Sequence, residues 1–168
     1  MCLKARSRGF SVVAAIFMLV VLALLAVLIA SVTGMQQASG QLDVLGVRAH
    51  ASARSGIEWG AHQVLDPNHT ISDCSMPSCP ASPTHLSGLG GSLAGLTVSV
   101  TCSQTADTTE GHRNVRVFQI VATACNQPSG GACPNAAPTS GYVERQLQAV
   151  VSKCKDSTAP APRCACGA

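Results

Sequence analysis

Cysteines are the residues of this chain best suited to chemistry, and nine of them stand among 168 residues. Eight lie between positions 74 and 166: Cys74, Cys79, Cys102, Cys125, Cys133, Cys154, Cys164 and Cys166. A structural zinc site draws on two close cysteine pairs, or on histidine partners at set spacing. Cys74-x4-Cys79 and Cys164-x-Cys166 do not make such a pair of pairs, and no Cys-x-x-Cys redox motif is present. Structural disulfides are the chemistry that remains, and they form and persist in oxidising compartments. All eight are therefore disulfide candidates, and neither a metal nor another cofactor is expected.

No catalytic signature accompanies them. The chain has no Gly-x-Ser-x-Gly, no His-Glu-x-x-His and no phosphate-cradling glycine loop, so it does not read as an enzyme. His50, His62 and the pair Glu58-Trp59 fit the surface of a helix. Asp107 and Glu110 would be two carboxylates on a turn, more often solvated than calcium-binding. Arg113 and Arg116 alternate with apolar residues along a strand. Asn68-His69-Thr70 matches a glycosylation sequon by pattern only.

Charge is unevenly placed along the chain that carries these residues. Lys4, Arg6 and Arg8 fall in the first nine residues, and the first acid is Asp43. From residue 10 onward eight Lys/Arg balance eight Asp/Glu. A neutral body lacks the clustered positive charge that phosphate backbones require, so no nucleic-acid partner is expected. Positions 10–42 carry no charge, and 10–30 is almost purely apolar. About 20 apolar residues cross a bilayer core, so this stretch can span. The preceding cations predict a cytoplasmic N-terminus. The run is longer than the roughly 7–15 residues of a secretory signal, and no convincing cleavage site follows it.

Arg8-Gly9-Phe10-Ser11-Val12 closes a basic leader with Gly and opens the apolar run with Phe. This resembles the signal of type IV prepilins, in which a prepilin peptidase cuts after Gly and methylates the new N-terminus. The resemblance makes Gly9 and Phe10 the processing site, with Lys4, Arg6 and Arg8 as leader charges. Cleavage there would discard Cys2 and leave an even eight cysteines. Ala14 departs from the family, whose major subunits carry Glu at the fifth mature position, and so points to a minor subunit. The segment Ala53-Arg54-Ser55-Gly56-Ile57-Glu58-Trp59-Gly60-Ala61 resembles the minor pilin-like MshP family of mannose-sensitive haemagglutinin (MSHA) pilus biogenesis. Thr123-Ala124-Cys125-Asn126 and Tyr142-Val143-Glu144-Arg145-Gln146-Leu147 extend that likeness across most of residues 8–154.

The elements that must position these residues follow from periodicity. Apolar residues Val44, Val47, Ala51, Ile57, Ala61, Val64 and Leu65 recur near the helical period, predicting an amphipathic continuation of the anchor. Asp66-Pro67-Asn68 ends it, and Gly34, Gly40, Gly46, Gly56 and Gly60 would soften it. Residues 67–95 read as loop. Strands are expected at 96–102, 115–125 and 142–151, with a turn at 107–111. On the last strand Val143, Leu147, Ala149 and Val151 share a face. The expected fold is thus α+β: a pilin-like long helix on a small antiparallel sheet of about three strands, stapled by disulfides. Eight cysteines allow about a hundred connectivities; those expected are Cys74–Cys79, Cys125–Cys133 and Cys102–Cys154. The domain plan is a leader at 1–9, a transmembrane half-helix at 10–40, an amphipathic half-helix at 41–66, a periplasmic β domain at 67–156 and a flexible tail at 157–168.

What the resemblance implies is a minor pilin or pilus-biogenesis subunit, with a type II secretion pseudopilin as the neighbouring alternative. From another class, a bitopic periplasmic redox or metal-binding protein competes. Implied partners are the prepilin peptidase, other major and minor pilins, the inner-membrane assembly platform and the lipid bilayer. The implied location is the inner membrane, single-pass, with the C-terminal domain periplasmic and later at the pilus tip or base.

Overall fold

The computed structural model describes residues 10–166. Helix α1 (Phe10–Leu65) leads into strands β1 (Thr84–Leu86), β2 (Thr97–Gln104), β3 (Thr108–Glu110), β4 (Arg113–Cys125) and β5 (Glu144–Asp156). A short 3₁₀ turn, Gly91–Leu93, precedes β2. The described residues divide into two compact units that part between Gln41 and Leu42.

In the first unit, Val12–Gly34 forms 23 residues of helix, none of them buried, long and apolar enough to cross a membrane. Its two hydroxyls are spent inside the helix: Ser31 Oγ donates to Leu28 O and Thr33 Oγ1 to Ile29 O, both at 2.8 Å. That internal satisfaction is what a lipid environment demands of polar groups.

In the second unit, the remainder of α1 packs on an antiparallel sheet, giving an α+β fold. The buried stripe only partly follows the apolar periodicity: Ile57, Ala61, Val64 and Leu65 face the sheet as expected, but Val44, Val47 and Ala51 do not. Gly46, Ala49, Ser52, Ala53, Gly56, Gly60 and Val64 are buried, whereas Val44 and Val47 are 60% and 71% exposed. The cause is close approach. A Cβ at Gly56 would stand 2.7 Å from Val98 Cγ1 and 3.0 Å from Ala122 Cβ. One at Gly60 would stand 2.8 Å from Ile120 Cγ2. These two glycines are contact points for the sheet rather than softeners of the helix. Ile57, Trp59, Ala61 and Leu65 flank the stripe against a core of Val98, Val100, Phe118, Ile120, Ala122 and Ala124.

The sheet has five strands where three were expected. Its order is β1-β2-β4-β3, with β5 on the other side of β4. Register sets Val100 opposite Ala122 on β2–β4, and Ile120 opposite Ala149 on β4–β5. Every pairing is antiparallel. The expected turn at 107–111 contains β3, which folds back on the start of β4. The expected loop at 67–95 contains β1, which borders β2. Both added strands have three residues, too short for an alternating pattern to register.

Helix α1 ends where Asp66 adopts φ +45°, while its N–H still reaches His62 O at 3.2 Å. Its carboxylate then accepts from Thr70 N at 2.8 Å, Thr70 Oγ1 at 2.6 Å and Ile71 N at 3.2 Å, organising the exit loop.

Candidate functional site

Among the predicted processing residues, Lys4, Arg6, Arg8 and Gly9 lie outside the described residues, as does Cys2. Phe10 is the first residue of α1.

The eight candidate cysteines form four disulfides: Cys74–Cys164, Cys79–Cys102, Cys125–Cys133 and Cys154–Cys166. Cys125–Cys133 coincides with the expected pairing. Cys74–Cys79 and Cys102–Cys154 do not occur. Cys102 is turned toward the loop that precedes β1, where Cys79 lies, and Cys154 toward the C-terminal segment. Sequence spacing favoured the short Cys74–Cys79 loop, but the topology brings Cys74 to Cys164 across a separation of 90. The segment 157–166 is consequently no loose tail. Cys164 and Cys166 tether it to two different elements, and Asp156 N donates to Cys164 O at 2.8 Å.

These staples gather a polar cluster at the end of α1. Lys153 and Lys155 sit on the same β5 face as Leu147 and Val151, because a strand alternates. Lys153 Nζ donates to Leu65 O at 2.5 Å, and the buried Lys155 donates to Asp73 O at 3.3 Å. Burial pushes the Asp66 carboxyl up, but hydrogen bonds from Thr70 and Ile71, with the Lys155 charge, hold it below its ordinary value of 3.8. Hydrogen bonds from the Ser75 hydroxyl and backbone chiefly lower Asp73. The lysines were absent from the sequence reading. Their signal was available, since odd positions of β5 continue the inward register of Leu147 and Ala149.

The other singled-out residues find structural partners or open surface. Asp107 and Arg116 form a two-pronged ion pair at 2.5 and 2.8 Å, and Arg116 also donates to Pro77 O at 2.7 Å. The Arg116 hydrogen bonds hold Asp107 below the usual carboxylate range, and Glu110 is exposed in β3. Arg54 and Glu58 make an exposed i,i+4 pair at 3.0 Å, worth only a few tenths of a kcal/mol, on the order of 0.3–0.5. His62 is exposed and Asn68 stands in the turn after α1. His50 lines an open depression with Asp43, Gly46, Val47 and Arg145. No group of three or more metal-ligating side chains is found among the described residues.

Under the Cys125–Cys133 bridge, the buried Ser99 Oγ accepts from Cys133 N at 2.8 Å and contacts His85 Nδ1 at 2.9 Å. This serine is held between one backbone N–H and the His85 ring rather than presented to solvent. The Tyr142 hydroxyl donates to Glu144 Oε2 and accepts from Asn135 N at 3.0 Å. Burial, above all, raises its hydroxyl pKa. Both arrangements organise the loop between β4 and β5.

Compared with protein-family models, curated proteins and solved structures, the chain has no match.

Proposed function

We propose that this chain is a minor pilin or pilus-biogenesis subunit of an MSHA-like type IV pilus, acting in filament initiation, at the tip or in assembly. The observation that supports this most is α1. A single helix carries an unburied apolar stretch, Val12–Gly34, and then a small-residue stripe packed on a stapled sheet. Such a chain holds itself in a bilayer by one segment and keeps a rigid domain outside it. The Gly9-Phe10 junction directly before the helix adds the processing step, and Ala14 favours a minor over a shaft-forming role. Four disulfides suit a periplasmic, oxidising location for residues 67–166.

The test is the N-terminus of the membrane-extracted protein, made with and without a prepilin peptidase, read by intact mass and terminal sequencing. A peptidase-dependent start at Phe10 is expected. Retention of Met1 in cells that process a control prepilin would overturn the reading and leave an anchored protein of another class.

A further inference from the structure

Strand β5 leaves one long edge without a partner. It pairs with β4 from Glu144 to Asp156, and no other strand among the described residues pairs with it. A loop backbone bond touches it only at its last residue, where Asp156 N donates to Cys164 O. The middle, Gln146-Leu147-Gln148-Ala149-Val150-Val151-Ser152, has no charge, no glycine and no proline. Natural sheets guard exposed edges with charges, prolines, bulges or very short strands, because unpaired N–H and C=O groups template further pairing. The opposite side of the sheet follows that rule, ending in the three-residue β1 just after Pro83. The middle of β5 does not.

Its chemistry specifies what would pair there. On the outer face, cross-strand rows run Ser99–Thr123–Gln146, Thr101–Val121–Gln148 and Ser103–Gln119–Val150. Gln146 Nε2 donates to Thr123 Oγ1 at 3.0 Å, and Val150 is 64% exposed. On the inner face Leu147, Ala149 and Val151 are only half-buried, so a further strand would cover them. At the Glu144 end lies the depression of Asp43, Gly46, Val47, His50 and Arg145. The Arg145 guanidinium lies over Gly46 and donates to Glu144 O at 2.9 Å, with no carboxylate in ion-pair contact among the described residues.

We propose that the free edge of β5 docks an extended strand of a partner protein, uncharged and alternating through its middle and carrying a carboxylate beside Arg145. Strand addition supplies affinity through main-chain hydrogen bonds and specificity through alternate side chains. A second copy of β5 fits less well. Antiparallel self-pairing that matches the two uncharged stretches places Ala149 against Ala149, and so sets Arg145 opposite Lys153. Like charges directly opposed across strands destabilise the pair.

The experiment uses the full-length chain in detergent micelles and a labelled synthetic peptide, Asp-Thr-Val-Thr-Val-Thr-Val-Ser, followed by fluorescence anisotropy. Saturable binding is expected, weakened about tenfold or more when the peptide backbone is N-methylated throughout and cannot donate. Arg145→Glu should weaken binding similarly, and a peptide with Lys in place of Asp should restore it. Circular dichroism and a full disulfide count establish that the variant is folded. Absence of saturable binding, or equal binding of the methylated peptide, overturns the proposal. Self-association of the chain that the peptide competes away also overturns it, because the occupant is then a second copy.

Discussion

Lys153 Nζ donates to the carbonyl of Leu65, the last residue of α1, at 2.5 Å. A strand residue thereby caps a helix whose final carbonyls have no partner within the helix. The cation also meets the negative end of the helix dipole. This bond joins the end of α1 to β5 across 88 residues of chain and fixes where α1 stops relative to that strand. Replacing Lys153 by Met keeps the aliphatic stem and removes the donor. A loss of about 1–2 kcal/mol is expected, read as a lower melting temperature with all disulfides intact. An unchanged melting temperature would mean that water caps Leu65 equally well.

Acid stability should depend on the same corner. Folded Asp66, Asp73, Asp107 and Asp156 all titrate below their ordinary value of 3.8. A carboxyl lowered by folding contributes stability above its unfolded pKa and loses it as pH falls through the folded pKa. Stability is therefore expected to be flat near neutrality and to drop below about pH 4. Asp66→Asn should lower stability at pH 7 and flatten the acid limb, as measured by urea unfolding across pH.

The glycines of α1 should separate into two kinds. At Gly56 an added methyl meets Val98 and Ala122 at 2.7 and 3.0 Å. Helix propensity would gain up to about 1 kcal/mol, but overpacking costs about 1–3. Val98 is β-branched and stiff, and Ala122 Cβ moves only with its backbone, so the cost prevails. Gly56→Ala should destabilise, and Gly56→Leu more strongly. At Gly40 nothing lies within 4 Å, and Gly40→Ala should stabilise the helix by up to about 1 kcal/mol. Thermal unfolding of the three variants would rank them, and the opposite order would refute the close helix–sheet contact.

The disulfides should differ in their contribution. Chain-entropy reasoning assigns about 4–5 kcal/mol to an isolated 90-residue closure and about 2–3 to an 8-residue one. The other bridges shorten the effective loop of Cys74–Cys164, which narrows the gap without reversing it. Removing Cys74 and Cys164 together is expected to lower the melting temperature more than removing Cys125 and Cys133. Non-reducing peptide mapping should first find Cys164 joined to Cys74 and Cys166 to Cys154. A linkage of Cys74 to Cys79 would contradict the fold.

Much of this was legible in the residues. The apolar run of α1, its end at Asp66-Pro67 and the three longer strands follow from patterns set by neighbours in the chain, where alternation and helical period read burial directly. The even set of eight cysteines likewise read as staples. The helix face is only partly legible: Ile57, Ala61, Val64 and Leu65 do meet the core, but periodicity weighs large apolar residues and passes over the glycines where the helix comes closest to the sheet. Val47 is left outside while Gly56 and Gly60 are buried, since only residues without bulk let the helix lie directly on Val98, Val100 and Ile120.

What the sequence alone determined, then, is the long helix, the three longer strands, which stretch can enter a membrane, and that the cysteines pair. What only the tertiary structure decided is which cysteine meets which, which helix face is inside, and that Lys153 and Lys155 close the end of α1. The physical reason is separation along the chain. Cys74 and Cys164, or Leu65 and Lys153, are brought together by strand order and register, and no local propensity encodes a contact across some 90 residues.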